Sequence, residues 1–175
     1  MQPRDRIKEL RRVKASTLIP NIRNWRVHPD RQRRALNGIL EEVGYADALL
    51  AREDEDGELI LIDGHLRADT TPDANVPVLV LDVTEAEADL LLTTHDPLAN
   101  MATPDTERLH ALLDSIDSDN ERVDSFLQSI RDGEGINFDG WDKVGELQPT
   151  ISPDAFPEFS QVPTSNRCPQ CNYEW

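Results

Sequence analysis

Apolar residues in the middle of this chain come in runs of strand length and no longer. Ala48-Leu49-Leu50-Ala51, Leu59-Ile60-Leu61-Ile62 and Val76-Pro77-Val78-Leu79-Val80-Leu81 are each bounded by turn-forming residues, as buried strands are. The first two flank Asp54-Glu55-Asp56-Gly57, a hairpin signature. The acidic tip from Glu53 to Glu58 lacks the Asp-x-Asp-x-Asp-Gly spacing of a calcium loop and reads as a solvated turn. No apolar run approaches the ~20 residues that span a bilayer, so no membrane partner is expected. The 175 residues suffice for one modest domain with appendages.

Helices flank these runs. Leu10–Ile19 alternates loosely enough for a strand, which Pro20-Asn21 ends. Asp30 is expected to cap a helix over about 31–43, with Ala35, Leu36, Ile39, Leu40 and Val43 on one face and Gly44 closing it. Thr84-Glu85-Ala86-Glu87 is a capping box for a helix to about Thr94, where Asp96-Pro97 stops it. A further helix opens at Pro104, with Leu109, Leu112, Leu113 and Ile116 on one face. Another carries Val123, Phe126, Leu127 and Ile130 and ends before Gly133. From there to Arg167 the apolar period is lost, as in a tether.

Charge divides the chain more sharply than hydropathy does. The net charge is -16, yet residues 1–34 hold eleven of the 18 Lys and Arg against Asp5, Glu9 and Asp30, a local +8 that leaves -24 elsewhere. A basic segment of this kind meets a polyanion or packs on the protein's own acidic surface. Arg31, Arg33 and Arg34 crowd the first turn of the helix at 31–43, where the macrodipole disfavours cations by ~0.3–1 kcal/mol each. A bound phosphate would offset that penalty, and Arg23, Arg26 and His28 immediately precede it. The second basic point is Ile62-Asp63-Gly64-His65-Leu66-Arg67-Ala68-Asp69-Thr70, where an apolar run stops at a Gly and opens into a polar segment. Backbone N–H groups, one cation (Arg67) and one titratable ring (His65) meet there, as in phosphate-handling turns.

The order strand, helix, hairpin, short polar segment, strand, helix resembles the N-terminal domain of the ParB/sulfiredoxin superfamily, over roughly residues 8–98. The likeness is carried by Arg23-Asn24-Trp25-Arg26-x-His28-Pro29, by Gly44-Tyr45-Ala46-Asp47-Ala48-Leu49-Leu50, by residues 62–71 and by Val76–Leu81. It looks like the ParB-like nuclease-domain proteins of phages and mobile elements. The resemblance implies an α+β fold, a small mixed sheet with flanking helices, and a phosphate-binding role for Gly64 and Arg67. In ParB proteins this turn reads Gly-Glu-Arg-Arg; here Gly64 and Arg67 match, and His65 and Leu66 stand at the two positions between them. Sulfiredoxin has its nucleophilic Cys where this chain has His65, which excludes a cysteine-based reductase.

The expected organisation is a ParB-like domain over 1–98, a helical extension over 99–132, a linker over 133–167 and a Cys-x-x-Cys knuckle over 168–175. The expected function is a DNA-associated accessory protein. It would bind nucleic-acid or nucleotide phosphate through Gly64, Arg67, Arg23, Arg26, His28, Arg31, Arg33 and Arg34. The enzyme alternative is a nuclease or nucleotide-dependent phosphotransferase using His65, Asp63 and Arg67 around a divalent metal such as Mg²⁺, with His65 and Asp63 catalytic and Asp63, His65 and Asp69 the candidate metal ligands. A protein-binding adaptor is the third class. Trp25, between Arg23 and Arg26, stacks on a base or anchors its loop. His95 and His110 read as ordinary helix residues.

Cys168 and Cys171 have the spacing of one edge of a tetrahedral zinc site, which needs four ligands. A second copy of the chain in a homo-oligomer, a shortened chain and a metal-free remnant remain the three explanations. Two cysteines, and a start from Met1 to Lys14 too charged for a signal peptide, lead to the expectation of a cytoplasmic protein.

Overall fold

A computed structural model describes residues 2–133. By internal contacts the chain divides into Met1–Phe138 and Asp139–Trp175, and all described residues belong to the first unit. Cys168, Cys171 and the expected linker lie outside the described residues.

The elements run β1 (Ile7–Lys14), α1 (Asp30–Glu42), β2 (Leu49–Glu53), β3 (Leu59–Asp63), α2 (His65–Thr70), β4 (Asn75–Leu81), α3 (Glu85–Asn100), α4 (Thr106–Ser115) and α5 (Glu121–Arg131). One four-stranded sheet has the order β1-β4-β2-β3. It is mixed: β1 with β4 and β2 with β3 are antiparallel, while β2 with β4 is parallel. The fold is therefore the expected α+β arrangement of a small mixed sheet with flanking helices.

Alternation along the strands gives the sheet two buried faces. Leu49, Ala51, Leu59, Leu61, Val76, Val78 and Val80 pack with Ala15, Leu18 and Ala68. On the other side Ile62 packs with Ala88 and Leu92 of α3, joined by Leu50 and Leu81. Period-two side-chain alternation explains why the neighbours Leu61 and Ile62 belong to different clusters. Each fully buried Leu or Val contributes roughly 1.5–3 kcal/mol through removal from water.

The start of the chain departs from expectation. The strand ends at Lys14, and Ala15–Thr17 form a 3-10 turn whose N–H groups reach Ala74 and Pro72 carbonyls. Beyond it, Ile19 bridges to Ile60 in parallel, donating to Leu59 O and accepting from Leu61 N–H, each at 2.9 Å. The segment read as one strand over 10–19 thus serves both edges of the sheet, which local alternation cannot express. Asp30 lies inside the first turn of α1 rather than capping it, and Pro29 occupies the cap.

Thr84 opens α3 with a capping box, accepting from Glu87 N–H at 3.3 Å while Glu87 accepts from Thr84 N–H at 2.8 Å. The helix does not stop at Asp96-Pro97 but runs on to Asn100. Pro97 forfeits only its own N–H bond, its carbonyl still accepts from Met101 N–H at 3.1 Å, and Asp96 is held by Arg26. Asp105, not Pro104, is the cap of α4, accepting from Arg108 N–H at 3.1 Å. Asn120 caps α5 by accepting from Arg122 N–H at 3.0 Å.

The helix α5 lies against α1. Asn120 Nδ2 donates to Glu41 at 3.2 Å and to the Gly38 carbonyl at 3.4 Å, and Arg122 pairs with Glu41. Gly38, a poor helix former, is buried at this crossing; a Cβ there would lie 2.9 Å from Arg122 Cβ and 3.0 Å from Val123 Cγ2. No helix among the described residues is long and apolar enough to cross a membrane.

Two outcomes follow. Gly38→Leu is expected to destabilise the protein by about 1–3 kcal/mol in urea unfolding, because overpacking at the crossing outweighs better helix propensity; an unchanged midpoint would refute the close approach. Glu87 is held at about 2, below its ordinary 4.5, chiefly by hydrogen bonds from Arg6 at 2.8 Å and secondarily by the Thr84 N–H. A depressed carboxylate stabilises above its unfolded value and loses that contribution as pH falls through the folded one. The Tm advantage of wild type over Glu87→Gln should thus be full at pH 7, shrink below about pH 4.5 and vanish near pH 2. A gap independent of pH would count against the Arg6 pairing.

Candidate phosphate-binding cleft

The edge bridge at Ile19 delivers the loop over residues 20–29 to the turn between β3 and α2. Gly64 makes that turn at φ 94°, the left-handed region that glycine tolerates. A Cβ at Gly64 would meet Leu49 Cγ at 2.5 Å, so core packing as well as backbone geometry requires the bare backbone. The chain then enters α2, a six-residue helix that sequence periodicity is too short to reveal.

A cleft of about 980 Å³ opens beside this turn. Asp63, Gly64, His65 and Arg67 line one side, Arg26 and His28 come from the 20–29 loop, and Arg31 and Arg34 from α1. Sequence-predicted residues remote from one another are thus brought to a single concave surface. Arg23 and Arg33 do not line it. Arg23 turns to α3, pairing with Asp89 and, at 3.6 Å, with Glu85. Leu36, Ile39, Ile62 and Leu66 make part of the wall apolar.

Most of the charge in the cleft is already matched. Arg67 donates to Asp47 at 2.6 Å and to Asp63 at 2.7 Å, and Arg26 pairs with Asp96. The Arg67 hydrogen bond also pulls the Asp47 carboxyl below its ordinary pKa. Arg31 and Arg34 differ: they are exposed, line the cleft and have no ion-pair partner among the described residues.

His65 is half-buried, and its Nε2 accepts the Asn21 N–H at 3.1 Å. An amide N–H only donates, so Nε2 is unprotonated and the ring proton sits on Nδ1. Burial pushes the ring below its ordinary 6.5, against the opposing pull of Asp63 and Asp69. The lone pair that a general base would use is thus occupied, and Asp63 is occupied by Arg67. Among the described residues no three His, Cys, Asp or Glu gather as a metal site.

No family model and no curated protein matches the chain. Among solved structures it is similar to the C-terminally truncated chromosome-partitioning protein ParB from Caulobacter crescentus complexed with CTP-gamma-S. Identity is 18% and the TM-score 0.45, over 50% of this chain and 52% of that one. The chain thus spans about half the length of that protein.

Several lining residues were not foreseen from sequence. Asp47 and Asp96 enter as partners of Arg67 and Arg26, and Arg122, Ser125 and Phe126 of α5 close the far wall. Apolar periodicity places Phe126 on the inner face of its helix but cannot say that α1 lies opposite.

The His65 contact has a pH signature. A histidine whose folded pKa is lowered stabilises above its unfolded value and loses that contribution as pH falls below about 6.5. Wild-type Tm is expected to drop between pH 7 and 5 by more than that of His65→Gln, with the His65 ring titrating below 6.5 by NMR. A ring titrating above 6.5 would remove the buried-acceptor assignment.

Proposed function

We propose that this unit is a ParB-like, DNA-associated binding module that holds nucleic-acid or nucleotide phosphate in the cleft, without catalysing a reaction. The observation that carries the reading is the position of Arg31 and Arg34. Two guanidinium groups with no described ion-pair partner stand in one cleft with the Gly64–Arg67 turn. A guanidinium fork matches phosphate oxygens geometrically as well as electrostatically.

The same geometry weighs against the enzyme alternative. A general base needs an accessible lone pair, and a metal nuclease needs carboxylates at liberty to ligate. His65 Nε2 is engaged by Asn21 and Asp63 by Arg67. Arg67 supports the site without being its principal anion ligand, because a phosphate would have to displace carboxylates at 2.6 and 2.7 Å.

Fluorescence anisotropy with labelled duplex DNA and with a labelled nucleoside triphosphate, at two salt concentrations, tests the reading. Binding is expected to fall steeply with salt, as contacts to phosphate do. Arg31→Glu combined with Arg34→Glu should weaken it by about tenfold or more, since each charge-assisted contact contributes roughly 1.5–3 kcal/mol. Unchanged affinity in the double variant, or Mg²⁺-dependent cleavage lost in His65→Ala, would overturn it.

A further inference from the structure

The loop that carries Arg26 into the cleft also presents apolar side chains to water. Ile22 is 98% exposed, Val27 91% and Trp25 55%. An indole that anchored this loop to the core would be covered, so the exposure leaves its packing role unfilled. The loop is nevertheless well braced. Asn21 N–H is held by His65, the Asn21 and Asn24 side chains accept from Arg23 N–H at 2.9 Å and Arg26 N–H at 3.2 Å, and Asn24 N–H reaches Asn21 O at 3.0 Å. Arg23 and Arg26 then tie it to α3 through Asp89, Glu85 and Asp96. A braced loop loses little conformational freedom when its displayed ring captures a partner.

We propose that Trp25 is a stacking platform for an unpaired base of a single-stranded nucleic acid, whose neighbouring phosphate enters the cleft at Arg31 and Arg34. The Arg26 guanidinium lies over the ring, 5.2 Å from its centroid, which fixes the indole from one side. Asn24 and Arg26, on either side of Trp25 in the chain, both line the cleft, and the Arg26 guanidinium that lies over the ring is one of the lining groups. Charge fits the same path. Arg23 and Arg26 offset two of the three charges of Asp89, Glu85 and Asp96, the α3 carboxylates that would otherwise repel a passing phosphate chain more strongly. A duplex keeps its bases stacked on one another, whereas an unpaired strand offers a π-face to an indole. The inference rests on the cleft as a phosphate site and adds the kind of polymer that site would serve.

The test is anisotropy of a labelled ten-nucleotide oligothymidylate and of a labelled nucleoside triphosphate against the full chain, with Trp25→Ala, Trp25→Phe and the Arg31→Glu, Arg34→Glu double variant. Trp25→Ala is expected to weaken the oligonucleotide by roughly five- to hundredfold, the range for one stacked base. It should leave the triphosphate unchanged, and Trp25→Phe should keep most of the oligonucleotide affinity. Because Trp25 is more than half exposed, both variants should melt with wild type. Equal oligonucleotide affinity in Trp25→Ala overturns the proposal, as does that result accompanied by altered sedimentation, which would assign the loop to protein docking. Triphosphate binding that depends on Arg31 and Arg34 while Trp25→Ala has no effect removes this inference and leaves the phosphate reading standing. Wild-type protein that binds no oligonucleotide, duplex or triphosphate removes both.

Discussion

Two backbone hydrogen bonds set the layout of this protein. Ile19 donates to Leu59 and accepts from Leu61, each at 2.9 Å, and so carries the chain from the β1 edge of the sheet to the β3 edge. Main-chain groups left unpaired in a buried position cost more than the net value of the bond they miss, so this crossing is strongly specified. Everything that lines one wall of the cleft follows from it. The 20–29 loop and the first turn of α1 arrive beside Gly64 because the chain has been stitched to β3 a few residues earlier.

Electrostatics within the cleft is a matter of which cations are already used. The basic N-terminal segment carries a local +8, yet pairing divides it unevenly. Arg6 is satisfied by Glu87, Arg11 by Glu9 and Glu53, Arg23 by Asp89 and Arg26 by Asp96. Such exposed or part-exposed pairs contribute about 0–1 kcal/mol each, so their effect is to place side chains more than to stabilise the fold. Arg31 and Arg34 line the cavity with no ion-pair partner among the described residues. Arg67, the residue that the family resemblance singles out, is held between two carboxylates, Asp47 and Asp63.

Much of the local structure was legible from the chain. The Thr84–Glu87 capping box involves groups three residues apart, so its sequence pattern is also its geometry. The hairpin over Asp54–Gly57 is equally local, with the Asp54 carboxylate accepting from Glu58 N–H at 2.8 Å. Gly64 and the stretch around it were identified because a glycine between an apolar run and a polar segment carries backbone meaning by itself. Less was legible where short elements or distant partners decide. The six residues of α2 contain less than two helical turns, too few for a period to show. The continuation of α3 past Pro97 accompanies an ion pair from Arg26, seventy positions away in the sequence.

What the sequence determined by itself was the inventory: short buried strands, amphipathic helices, a glycine turn and a basic segment ahead of an acidic remainder. These follow from side-chain period, capping chemistry and charge, all properties of neighbouring residues. Only the tertiary structure decided which cations have partners, that the His65 lone pair is occupied by Asn21, that Trp25 faces water and that α5 closes the cleft through Gly38 and Phe126. The physical reason is separation along the chain. Each of these outcomes depends on a group tens of residues distant, whose approach is set by how the sheet and helices pack and is not written in any local pattern.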